Sequence, residues 1–360
     1  MRRELIIGYS LLILLMTTTC FVTFKLMDKS SFAISDKSSV NNEVEVDIDD
    51  NSNGKKDESN VVVNYDEKYE LKNYYNDNNL DKKIVDFTNC LHSYISIDNL
   101  SSDIKNNISE LEKYYNDDDN NFAFYYLDLN TSFSVSYNAN QPIFGASTMK
   151  APFIIYLYKQ ASLGKIDLDE ELTYTANFYS TGSGVIQGHE VGGKYTVRKL
   201  CYYAINDSDN IAYRMLTSRF GIGNTREFWK ENGVNSIYHN DVIFSEITAV
   251  DAGKIMKYLY DFSIEDDVLG KELMNYFTNA LYFFIPKDGL VMAHKSGWAG
   301  YAIHDFAIKF DDNPYVLIIL SKRGEMEYES LFKYTSDKIS EIHKSFWDTN
   351  INYCISNFKN

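Results

Sequence analysis

The chain has 360 residues, 44% of them hydrophobic and 15% aromatic, enough apolar material for one large domain or two small ones. Its 35 Lys and Arg stand against 51 Asp and Glu, a formal net charge of -16, and no basic cluster is present that could track a phosphate backbone, so nucleic acid is not an expected partner. Cys20, Cys90, Cys201 and Cys354 are too few and too scattered for a disulfide framework or a zinc site, and the six histidines show no H-E-x-x-H spacing. No metal or other cofactor is therefore expected, while a single Cys90–Cys201 or Cys90–Cys354 bridge stays open.

At the N-terminus, Leu5 to Phe24 form a run of about twenty mostly apolar positions, preceded by Arg2 and Arg3. That length crosses a bilayer, and the arginines favour an inside N-terminus with the remainder outside. Residues 1–29 are thus expected to be a single-pass anchor in the cell membrane. The rivals are a secreted protein, for which no small-x-small cleavage site is evident, and a lipid anchor at Cys20, where Thr17 to Thr19 make a poor lipobox. Residues 30–79, rich in Asp, Glu, Asn, Ser and Lys, bury too little apolar surface to fold alone and read as a solvated tether. Residues 80–360 are expected to form the folded domain.

Within it, Ile84 to Tyr94 and Leu100 to Tyr114 have helical spacing, and Phe122 to Tyr137 reads as a hairpin turning near Asn130. A helix from Ser147 to about Ser162 follows, then a helical middle that includes Val197 to Ala204, Asn210 to Phe220 and Ala249 to Phe262. Leu290 to Lys295, Tyr301 to Phe310 and Tyr315 to Leu320 are strand-like, and an amphipathic helix runs from about Tyr328 to Phe346. This order predicts an α+β fold: one antiparallel β-sheet flanked by helices, with an all-helical subdomain inserted between the hairpin and the late strands.

Three motifs carry the chemistry. Ser147-Thr148-Met149-Lys150 opens an apolar helix, so Lys150 shares a face with Ser147, and burial would lower its pKa toward that of a working base. Because S-x-x-K also occurs at Ser52, Ser102 and Ser162, a plain N-cap with Lys150 in solvent is the bland alternative. Ser208-Asp209-Asn210 occurs once and offers a proton-relaying hydroxyl and a carbonyl-binding amide, or simply a helix cap. Lys295-Ser296-Gly297, also unique, ends a strand with a cation and a hydroxyl suited to a substrate carboxylate, and with a glycine that admits substrate backbone.

In this order, 61 and 87 residues apart, the three motifs resemble the S-x-x-K, S-D-N and K-T-G set of class A β-lactamases and penicillin-binding proteins, over about Leu80 to Phe346. The resemblance implies a β-lactamase/transpeptidase-like fold and an extracellular serine hydrolase acting on β-lactams, hence on antibiotic resistance and β-lactam catabolism, or on D-Ala-D-Ala-type peptidoglycan peptides. It makes Ser147 the nucleophile, Lys150 the base and Ser208 the proton carrier, with Asn210, Lys295, Ser296 and Gly297 binding substrate. The backbone N–H groups of Ser147 and Trp298 would form the oxyanion hole, and Thr181 to Gly188 would border the cleft. One departure stands out: the Glu-x-x-Leu-Asn string that supplies the deacylating base in class A enzymes is absent. Glu246 is the only well-placed loop carboxylate, with Asp241 a poorer second, and Glu246 also suits helix capping. A penicillin-binding sensor or pseudo-enzyme that acylates without efficient turnover is therefore the alternative. His294 and His304 flank the third motif and could orient it.

Overall fold

A computed structural model describes the protein over residues 101–115, 121–322 and 328–357. The expected anchor, tether and Ile84 to Tyr94 helix, together with Cys20 and Cys90, lie outside these residues. No helix among the described residues is long and apolar enough to cross a membrane.

Helix α1 (Ser102–Tyr115) leads to the hairpin β1 (Phe122–Asp128) and β2 (Ser134–Tyr137). Asp128 fixes the turn between them: its Oδ1 accepts from the backbone N–H of Asn130 and Thr131 and from the Thr131 hydroxyl. After β3 (Ile143–Phe144) come α2 (Lys150–Ser162), the pair β4 (Glu171–Thr173) and β5 (Lys194–Thr196), then α3 (Val197–Asn206), α4 (Asn210–Phe220) and α5 (Gly223–Glu231). Strand β6 (Glu246–Ile247) pairs with β3 and precedes α6 (Ala249–Glu265) and α7 (Leu269–Thr278). The chain closes with β7 (Val291–Ala299), β8 (Ala302–Phe310), β9 (Tyr315–Ser321) and α8 (Tyr328–Asn357).

The main sheet runs β2-β1-β9-β8-β7, antiparallel throughout, with β7 at one edge. Strand β9, YVLIILS, is buried along its whole length because helices cover both faces. Its Val316, Ile318 and Leu320 join the core shared with the inserted helices, while Tyr315, Leu317 and Ile319 face the core made with α1 and α8. The expected α+β architecture is the one observed.

Two boundaries differ from expectation. Helix α8 continues past Phe346 because Trp347, Asn350 and Cys354 extend its buried face at three- and four-residue spacing. Cys354 is disulfide-bonded, and Cys201 is a free, buried thiol, which excludes a Cys90–Cys201 bridge. The helix expected from Ser147 begins instead as a 3-10 turn, Ala146–Met149, with α-helical geometry only from Lys150.

Candidate active site

That 3-10 turn is tight for a local reason. Ala146 has φ +47°, a left-handed conformation costing a non-glycine residue about 1–3 kcal/mol, and both the backbone N–H and the hydroxyl of Thr148 return to the Gly145 carbonyl. Three partners hold the turn in place. Gly145 N–H donates to the Ser245 carbonyl beside β6. His304 Nε2 lies 2.7 Å from the Phe144 carbonyl, and because His304 Nδ1 accepts from Ser321 N–H, the ring is the neutral Nε2–H tautomer donating to Phe144. Strand β7 presses against the turn at Gly297, where a Cβ would sit 2.8 Å from Thr148 N and 3.1 Å from the Gly145 carbonyl. The Gly297 glycine, expected to admit substrate backbone, is required first by the protein's own packing. Ser147 makes no capping bond at the helix start and Lys150 is buried, so the bland alternative for the first motif fails.

Lys150 Nζ is the centre of the constellation. It lies 3.2 Å from Ser147 Oγ, 3.2 Å from Ser208 Oγ and 2.8 Å from Asn210 Oδ1, and also contacts the Ser208 carbonyl. Burial, followed by the cation of Lys295, drives its pKa well below 10.5, against an opposing pull from Asp209. A neutral amine has two N–H groups and one lone pair. The carbonyl oxygens of Ser208 and Asn210 suit the two hydrogens, which leaves the lone pair for the Ser147 hydroxyl proton.

The second motif supplies the helix cap considered for it and also places Ser208 and Asn210 against Lys150. Asp209, fully buried, caps α4 by accepting from Ile211 and Ala212 N–H through Oδ1, and holds the opposing loop by accepting from Val185 and Ile186 N–H through Oδ2. Asn210 adds bonds to the Thr181 and Ser183 carbonyls, so the stretch from Thr181 to Gly188 is pinned to the motif rather than loose. Gly184, at φ +121°, is needed because a Cβ there would meet Asp209 Cγ at 2.3 Å. Asp209→Ala is expected to lower unfolding stability by about 3 kcal/mol or more, since a cap is worth about 1 kcal/mol and hydrogen bonds to a charged group about 1.5–3. Urea denaturation checks this, and a loss below about 1 kcal/mol would show that the four donors find other partners.

From β7, Lys295 Nζ reaches Ser208 Oγ at 2.9 Å and the Ser296 carbonyl at 2.8 Å. Burial lowers its pKa to about 7, with the Asp305 carboxylate pulling it back up. Ser208, at φ +53°, therefore accepts from Lys295 and lies within reach of Lys150, with its own proton free to turn into the cleft. Ser296 departs from expectation: its hydroxyl donates to the Tyr282 carbonyl at 2.6 Å and must rotate to meet a substrate carboxylate. Trp298 follows on β7 with its side chain exposed. Neither histidine can serve as the base. Both ring nitrogens of His304 are engaged away from Ser147, and His294 is buried and neutral, its pKa lowered to about 3 by burial, with Nδ1 3.7 Å from Asp305 Oδ1, too far for a hydrogen bond.

Glu246 falls on β6 opposite Phe144, exposed, and its carboxylate makes no hydrogen bond or ion pair among the described residues. It does not cap the following helix, as had been expected, because the Thr248 hydroxyl takes that place by accepting from Asp251 N–H. Asp241 is held by Arg226 at 2.8 Å. The segment and its neighbours are instead fastened by aromatic donors outside the three motifs: Tyr238 OH donates to the Met149 carbonyl just before α2, Tyr213 OH, from α4, to the Ile243 carbonyl, and Trp229 Nε1, from α5, to the Pro152 carbonyl. Their signal in sequence is only that of apolar residues in or between helices. Among the described residues no cluster of His, Cys, Asp and Glu could hold a metal ion.

Residues 101–344 match the model of the beta-lactamase enzyme family. A beta-lactamase of Bacillus licheniformis is 24% identical over 266 residues, covering 68% of this chain and 83% of that protein. Beta-lactamase 3 of Bacillus cereus is 26% identical over 254 residues, covering 64% and 78%. Among solved structures, an acyl-enzyme complex of a PBP-A mutant with penicillin-G superposes with a TM-score of 0.62 at 20% identity, covering 67% of this chain and 97% of that one. The TLA-3 extended-spectrum beta-lactamase does so at 0.56 and 19%, covering 69% and 99%.

Proposed function

The chain belongs to the beta-lactamase enzyme family of serine hydrolases, and from that premise we propose that Ser147 forms an acyl-enzyme with β-lactams or with D-Ala-D-Ala-type cell-wall peptides. The observation that carries the reading is the buried Lys150 amine, 3.2 Å from the Ser147 hydroxyl, with the Ser208 and Asn210 carbonyl oxygens there to take its own hydrogens. Lys150 takes the Ser147 proton as Oγ bonds to the carbonyl carbon, and the developing oxyanion meets the N–H groups of Ser147 and Trp298, each such donor being worth about 3–4 kcal/mol. As the C–N bond breaks, Ser208 gives its proton to the departing nitrogen and recovers one from Lys150. Lys295, Ser296 and Asn210 hold the substrate. Intact-mass and peptide analysis after incubation with penicillin tests this: one adduct on the Ser147 peptide is expected, and an adduct elsewhere or none overturns it.

The location proposed is the outer face of the membrane, on the anchor and tether of residues 1–79. The apolar run behind Arg2 and Arg3 supports it, as does the Cys354 disulfide, a bond that persists in oxidising compartments. A second reading, a sensor that acylates once, is favoured by one observation: Asp241 is tied to Arg226, and among the described residues the carboxylate left beside the nucleophile turn as a deacylating base is the exposed Glu246. Repeated hydrolysis of a chromogenic cephalosporin would remove that reading.

Lys295→Ala is expected to slow acylation by carboxylate-bearing substrates about 10- to 100-fold more than acylation by neutral esters, because a charge-assisted hydrogen bond is worth about 1.5–3 kcal/mol. Lys295 is cationic below its pKa of about 7, so the advantage of carboxylate substrates should also fall as pH rises through 7. Equal losses for both substrate types, or a flat pH profile of their ratio, would make Lys295 structural.

A further inference from the structure

Between α7 and β7 the chain runs along the outside of the candidate site with its backbone tied down and its side chains bare. Leu281 N–H donates to the Asn206 carbonyl, two residues before Ser208, and the Tyr282 carbonyl accepts from Ser296. The Phe283 ring packs edge-on to His294, and Phe284 and Ile285 N–H both donate to Asp305 Oδ2. Leu281, Tyr282 and Phe283 nonetheless remain 53%, 56% and 45% exposed. His294, Ser296 and Trp298 project from one face of β7 by strand alternation; the segment covers the first two, and Trp298, 57% exposed, continues the row. Large apolar side chains held on a stitched backbone beside a polar cleft mark a surface that takes a ligand.

We infer that this strip is a subsite for the departing half of the substrate, selecting acyl donors that carry a large apolar or aromatic group next to their carboxylate. The inference rests on the acylation reading of Ser147 and on Lys295 and Ser296 as the carboxylate grip. A carboxylate held there belongs to the leaving group, as in the terminal residue of a D-Ala-D-Ala-type peptide or the ring carbon beside a β-lactam nitrogen. The strip adjoins Ser296 through the Tyr282 carbonyl, so a substituent on the carbon bearing the carboxylate comes against Tyr282 and Trp298.

Two depsipeptides with the same acyl half test this, one releasing D-lactate and the other D-phenyllactate, so that only a methyl and a benzyl group differ. In each, the Ser147 Oγ–C bond forms as the ester C–O bond breaks, and the hydroxy acid leaves with a proton relayed from Ser147 through Lys150 and Ser208. With the full-length protein, kcat/KM for hydroxy-acid release is expected to be at least about tenfold higher for phenyllactate, the low end of what one methylene is worth in an enclosed apolar pocket, because a whole ring is gained here on an open strip. The ratio should fall to near one in Tyr282→Ser combined with Trp298→Ser. It should persist in Leu163→Ser, an exposed apolar control at the far end of α2. A wild-type ratio near one, or no reaction of either depsipeptide in a protein that penicillin labels, overturns the subsite and leaves the strip to a protein partner. Failure of penicillin itself to label Ser147 would instead sink the acylation reading.

Discussion

Replacing Ser147 with alanine should abolish covalent labelling by a fluorescent penicillin while the thermal midpoint stays within about 2 °C of the parent. The chemical loss is total because no other hydroxyl occupies its place: Ser208 Oγ is 3.2 Å from the same amine but is flanked on its other side by Lys295 at 2.9 Å, and Thr148 Oγ1 is spent on the Gly145 carbonyl. The structural loss is small because Ser147 caps nothing, so even the roughly 1 kcal/mol of a missing N-cap does not apply. Gel fluorescence and a thermal melt of the same preparation check both halves. Residual labelling would mean a different nucleophile; a large drop in midpoint would mean that Ser147 supports the turn.

Breakdown of the acyl-enzyme, not its formation, should limit turnover of penicillins. Ester hydrolysis needs a base that holds and deprotonates a water facing the acyl carbon, and such help is worth about 10² to 10⁴ in rate. Tyr238, in the segment that follows α5, and Tyr213, from α4, direct their phenols at the Met149 carbonyl just before α2, Asp241 is tied to Arg226, and Asp251 accepts from Asn235 and Ser236 N–H. Stopped-flow kinetics should therefore show a burst equal to the enzyme concentration, then a slow steady phase that changes less than about twofold in Glu246→Gln. A steady state without a burst, lost in Glu246→Gln, would establish Glu246 as the deacylating base.

Much of this was legible from residues alone. The hairpin, the three late strands and the main helices follow from periodicity, because a period of two or of 3.6 is a property of each segment and is set by which faces are covered. The three motifs stand out by their order and by the unique spelling of the second and third. Harder to read were pieces only two or three residues long, such as β3 paired with β6, whose existence depends on a partner about a hundred residues away. The tail of α8 was missed because polar residues separate Trp347, Asn350 and Cys354, and the stripe becomes visible only against the sheet it covers.

By itself the sequence determined the fold class and singled out the side chains that are candidates to carry chemistry, since both are written in local pattern and residue type. Only the tertiary structure decided how those side chains are tuned and tied. Packing from β7 and α4 buries Lys150 between Ser147, Ser208 and Asn210 and so lowers its pKa, makes Asp209 the clasp of two elements, spends the Ser296 proton on Tyr282, and leaves Glu246 on an exposed strand instead of a helix cap. Desolvation and long-range hydrogen bonds arise between segments distant in the chain, and no local pattern encodes them.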